Sequence, residues 1–191
     1  MNDIKSSGQT REFSTGSHRD MAKGKGRMDL LPADAVSKTI SCLDAVKNGV
    51  AAGKKSSILL AFSEAEEYMI NGDKKHLCMA ATYALCAVGM DEADKIVDGY
   101  TIDDKTDVYS TWAAGLIAVS KHYESGAEKY GENNWQLGQP MHVLMDSGMR
   151  HNCKAIAGIT DEPHVRATAW NYLCAIWMDE HLPEMRDLKF N

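Results

Sequence analysis

The feature that most restricts this chain is that it nearly repeats itself, so its fold must be one that can be built twice. "HLCMAATYALCAVGMDE" (76–92) and "HVRATAWNYLCAIWMDE" (164–180) align without a gap and share 8 of 17 residues, where chance gives roughly one or two. The shared positions are His76/His164, Ala81/Ala169, Leu85/Leu173, Cys86/Cys174, Ala87/Ala175 and the closing Met-Asp-Glu triplets. A shorter echo, "AVSK", occurs at 35–38 and again at 118–121. A duplicated supersecondary unit is the expectation.

The unit reads as three helices. Pro32 opens "PADAVSKTISCLDAVKNG", whose final Gly49 suits a left-handed cap. "SSILLAFSEAEEYMING" has a Ser cap, helical apolar spacing and a terminal Gly72. "DKKHLCMAATYALCAV" follows from an Asp cap. After a polar connector around 98–107 the scheme recurs over 108–130, 141–157 and 161–180. Residues 1–22 are rich in Ser, Gly, Thr and charge and read as a mobile arm. The expected fold is therefore an all-α helical bundle of two tandem, degenerate three-helix repeats. The arm spans 1–31, the first repeat 32–100, and the second repeat, which carries the site, 101–191.

Composition excludes several classes. The charge of −6 and the scattered basic residues, "KGKGR" at 23–27 apart, argue against nucleic acid as a partner. No run of 18 apolar residues exists, so no membrane span or signal peptide is expected. Five cysteines without a CxxC pair read as free thiols in a reducing cytoplasm. No phosphate loop of the GxxxxGK[ST] type and no GxSxG occurs.

The polar residues gather in the second copy. Glu124 and Glu128 stand four apart on one helix face, with Gly126 between them allowing close approach. The plain alternative is a solvated face paired with Lys121 and Lys129. Asp146, Arg150 and His151 lie in "DSGMRH", where Asp146 and Arg150 also suit a surface ion pair. Asp161, Glu162, His164 and Asn171 open the last helix, the latter two on one side of an otherwise apolar face. Carboxylates on facing bundle helices are how all-α proteins hold hard dications such as Mg²⁺.

"FSTGSHRDMAKGKGRMDLLPADAV" (13–36), "HYESGAEKYGENNWQLGQP" (122–140), "DSGMRH" (146–151) and "DEPHVRATAWN" (161–171) together resemble the phage-associated dATP/dGTP diphosphohydrolase family. That family is related to the MazG-like all-α nucleoside triphosphate pyrophosphohydrolases. The resemblance covers a little under half of the chain. Where the MazG-like pattern has a Glu-x-x-Asp pair on its last helix, this chain has Thr168-Ala-Trp-Asn171.

The resemblance implies a hydrolase that cuts a (deoxy)purine nucleoside triphosphate between its α- and β-phosphates. Glu124, Glu128 and Asp146 would hold Mg²⁺, or Mn²⁺ in its place, with Glu124 and Glu128 catalytic. Asp161, Glu162, His164, Asn171 and His151 would be further ligands or would orient the ligands. Lys25, Arg27, Lys129 and Arg150, helped by Lys23 and the N–H groups of Gly24 and Gly26, would bind phosphate. Tyr130 and Trp135 would stack on the base and Asn134 would read its edge. A cytoplasmic protein is expected, host-cell cytoplasm if phage-encoded, and a homo-oligomer is compatible with the reading. The rival is a non-catalytic nucleotide-binding protein that sequesters or regulates.

Overall fold

A computed structural model describes residues 10–20, 23–92 and 107–190. Six helices dominate it: α1 (Ala33–Ala51), α2 (Lys54–Asn71), α3 (Lys74–Glu92), α4 (Val108–Tyr130), α5 (Met141–Ile156) and α6 (His164–His181). The all-α expectation holds. The expected connector and the boundary at 100/101 lie outside the described residues.

Local chemistry explains where the helices begin and end. Gly72 closes α2 at φ 73°, and the Asp73 carboxylate accepts the Lys75 N–H at 2.9 Å to open α3. Asp107 caps α4 by accepting the Ser110 N–H. Gly49 departs from its expected role: it lies inside α1, which continues to Ala51. A Cβ there would stand 2.4 Å from Leu60 Cδ1 and 2.7 Å from Tyr83 Oη, so the glycine serves close packing. The last helix starts at His164 rather than 161, because Pro163 holds the N-cap position; Asp161 and Glu162 therefore sit in the preceding turn.

The two triplets share one hydrophobic core, in which Val46, Val50, Leu77, Leu85, Val119, Met145, Tyr172 and Leu173 are fully buried. α3 is its axis, packed on α1, α2, α4 and α6. Two glycines set the α3–α4 crossing. A Cβ on Gly89 would lie 1.8 Å from the Thr111 carbonyl oxygen, and one on Gly115 would lie 2.0 Å from that of Leu85. Each helix of the first triplet also packs on its counterpart in chain order: α1 on α4, α2 on α5 and α3 on α6.

The arm has more structure than its composition suggests. Thr10–Glu12 (β1) and His18–Asp20 (β2) form an antiparallel hairpin, Arg11 facing Arg19, turned through Gly16 at φ 80°. Residues 23–31 lie along α4 and end in a short 3-10 turn that buries Leu30. No helix among the described residues is long and apolar enough to cross a membrane.

Candidate functional site

A cleft of about 630 Å³ opens between α4, the 3-10 turn Asn134–Leu137, α5 and α6. That volume suits a nucleotide-sized ligand. From α4 it takes His122, Tyr123, Gly126, Lys129 and Tyr130; Asn134 and Trp135 come from the turn, Val143 and Ser147 from α5, and Glu162, Trp170 and Asn171 close it. Tyr130 is exposed, with the Lys129 ammonium 4.7 Å from its ring centroid. Trp135 is buried edge-on against Tyr123 and Trp177, ring centroids 5.8 and 5.0 Å away. Its indole N–H has no hydrogen-bond partner among the described residues, which is costly for a buried donor unless something entering the cleft accepts from it. Gly126 also faces the cleft, and a Cβ there would meet nothing within 4 Å.

His122 and Trp170 were not singled out from the sequence, yet both wall the cleft, their rings 5.8 Å apart. His122 was legible in principle, being four residues before Gly126 on the same helix stripe. Burial, then the charges of Arg166 and His151, hold its imidazole below the usual histidine range, with Glu162 opposing. A neutral ring can accept a proton.

Glu124 and Glu128 share a face, as their spacing requires, but not the face that walls the cleft. Glu124 accepts the Gly24 N–H on Oε1 at 2.8 Å and the Gly26 N–H on Oε2 at 3.0 Å. Glu128 lies 3.7 Å from Lys23. The two glycines, at φ 79° and 87°, form an anion-gripping loop of the expected kind, and a carboxylate occupies it. Arg27 is held by Asp29 and Glu132, both at 2.7 Å, and Lys25 is exposed. On α5, Asp146 pairs with Arg150 at 2.8 Å as the surface reading allowed. The structure thus brings Lys129, Tyr130, Asn134, Trp135, Glu162 and Asn171 to one cleft. It leaves Glu124, Glu128, Asp146, Arg150, Lys25 and Arg27 off its walls, and the three carboxylates form no common ligand cluster among the described residues.

A second polar cluster forms where α5 meets α6. His151 Nδ1 lies 3.0 Å from His164 Nδ1, and Glu162 Oε1 lies 3.4 and 3.5 Å from these two nitrogens. His164 Nε2 reaches Asp161 Oδ1 at 2.6 Å. Asn171, whose Nδ2 donates to the Ala167 carbonyl at 2.8 Å, stands apart from this group.

The helical bundle thus holds an aromatic and amide-lined cleft of nucleotide size, with the Lys129 cation among its lining residues. Residues 101–188 match the family described as dATP/dGTP diphosphohydrolase, N-terminal. The match is thus to hydrolases of nucleotide metabolism. No curated protein and no solved structure matches the chain.

Proposed function

We propose that the chain hydrolyses a purine (deoxy)nucleoside triphosphate between its α- and β-phosphates, releasing monophosphate and pyrophosphate in a Mg²⁺-dependent reaction. One observation carries the reading: apart from Leu30, every residue that walls the cleft lies within the family match. The base stacks on Tyr130, its edge meets Asn134 and the unpartnered Trp135 N–H, and Lys129 draws the phosphates. Water attacks the α-phosphorus and the bond to the bridging oxygen breaks, with His122 or Glu162 in the cleft wall taking the water's proton.

Glu124, Glu128 and Asp146 do not fit a Mg²⁺ ion as they stand, since the arm and Arg150 engage them. In this proposal the dependence on Mg²⁺, or Mn²⁺, is carried by the triphosphate, a polyanion that hard dications accompany. The first triplet is read as a degenerate copy retained as scaffold, supported by the repeat and by the counterpart packing of α1 on α4, α2 on α5 and α3 on α6.

Incubating the protein with each of the eight common nucleotides and Mg²⁺, then separating products by ion exchange, tests the activity. Monophosphate plus pyrophosphate from a purine substrate, abolished by EDTA, is expected; orthophosphate or intact triphosphate as product would refute the bond assignment. The engagement of both Glu124 oxygens favours a second reading, a nucleotide-sequestering protein. Tight binding without turnover under any dication would select it.

A further inference from the structure

We propose that His151, Glu162 and His164 hold a divalent transition-metal ion, with Asp161 fixing the ring of His164. The ligands come from two stretches of chain: His151 from the C-terminal half of α5, and Glu162 and His164 from the turn before α6 and its first residue. Their converging atoms make a triangle with sides of 3.0, 3.4 and 3.5 Å. Ligand atoms about 2.1 Å from a tetrahedral ion stand about 3.4 Å from one another, and those on an octahedral face about 3.0 Å. The triangle therefore already has the size of a coordination face.

The surrounding groups fit the same assignment. His164 is buried, with its side chain 1% exposed. A proton on Nε2, directed at Asp161 2.6 Å away, leaves the Nδ1 lone pair aimed at the cluster, the carboxylate–imidazole arrangement that orients metal-binding histidines. Lys154 lies 3.6 Å from Asp161 and 3.8 Å from Glu162, so two carboxylates and one ammonium leave a net negative charge for a dication. Two imidazoles and a carboxylate select zinc, iron, cobalt or manganese over Mg²⁺, which prefers oxygen alone. Glu162 walls both the nucleotide cleft and a second hollow of about 310 Å³ that His164 also lines, so the cluster is reachable from outside. The alternative is that the two rings merely share one proton, Nδ1–H to Nδ1.

The test uses the untagged full-length chain, stripped with EDTA and titrated with CoCl₂ without nucleotide, so its outcome is separate from that of the proposed hydrolysis. One Co²⁺ per chain is expected, with the visible d–d absorption that nitrogen ligation gives, not displaced by excess Mg²⁺. His151→Ala and Glu162→Gln should lose the band while retaining the helical circular dichroism of the wild type. Asp161→Asn should weaken binding about 10- to 100-fold. His142→Ala, a histidine on α5 paired instead with Asp187, should bind as the wild type does. Absence of stoichiometric Co²⁺, or a band that survives His151→Ala, would overturn the assignment.

Discussion

Set side by side, α3 and α6 show how two similar helix sequences meet different surroundings. At matched core positions they agree: Leu85 and Leu173, Cys86 and Cys174, Ala87 and Ala175 are all fully buried. They part where the sequences part. Thr82, buried and donating to the Cys78 carbonyl, corresponds to Trp170 in the cleft wall. Tyr83 corresponds to Asn171, and Gly89, which lets the α4 backbone into contact, to Trp177, which stacks on His181 and packs on Trp135. Small residues close the neighbours down on α3, whereas large and polar ones border a cavity beside α6. Even the matching histidines differ: His76 and His164 each meet a carboxylate at 2.6 Å, Glu64 and Asp161, but His164 also faces a second imidazole.

The largest effect should come from filling the closed crossing. Gly115→Leu must displace the Leu85 carbonyl, and urea unfolding should show a loss of about 3 kcal/mol or more. A loss below about 1 kcal/mol would mean that the crossing yields, and the contrast with the open side would fail.

The opposite outcome is expected at the cleft. Gly126→Ala adds a methyl that meets nothing within 4 Å among the described residues and removes a mid-helix glycine, so it should stabilise by about 0.5–1 kcal/mol. It should also raise the nucleotide KM if, as proposed, the ligand fills that space. Greater stability with unchanged KM would show that the cleft is not the nucleotide site.

A smaller effect concerns the arm. Glu124→Ala removes the acceptor of two N–H groups in a partly exposed place, worth about 1 kcal/mol, or about fivefold in opening. Trypsin should then cut at Lys23, Lys25 and Arg27 about that much faster. Unchanged cleavage would mean that the arm is held by other contacts.

The mildest probe is thiol chemistry. Burial pushes Cys78 up to about 11 and Cys86 up to about 12, while Cys153 is the exposed cysteine of the five. A disulfide reagent should therefore titrate one thiol quickly in the native protein. Fast reaction of a second would show that the core is looser than described.

Much of this was legible in the sequence because helices are local. The limits of α4, the Gly72 cap and the Asp73 cap follow from residues within one turn of each other. The arm's contacts were not legible: Gly24 and Glu124 are 100 positions apart, and (i, i+4) spacing identifies a helix face without saying what covers it. The same limit hid the cleft. The spacing of Glu124 and Glu128 gave a shared face, while the stripe of His122, Gly126 and Tyr130 beside it became the wall. His151 and His164 meet because the turn at 157–163 folds α6 back on α5, a juxtaposition that no periodicity encodes.

The central claim, that ligand chemistry belongs to the cleft of the second half, is tested most directly through the four tryptophans. In a proton–nitrogen NMR spectrum each indole N–H gives its own signal. Trp135 and Trp170 border the cleft, while Trp112 donates to Thr39 Oγ1 at 3.0 Å between α4 and α1 and is an internal control. On titration with α,β-methylene dGTP, the Trp135 signal should move most, Trp170 should follow, and Trp112 should stay in place. Movement of Trp112 with Trp135 and Trp170 unmoved would contradict the account.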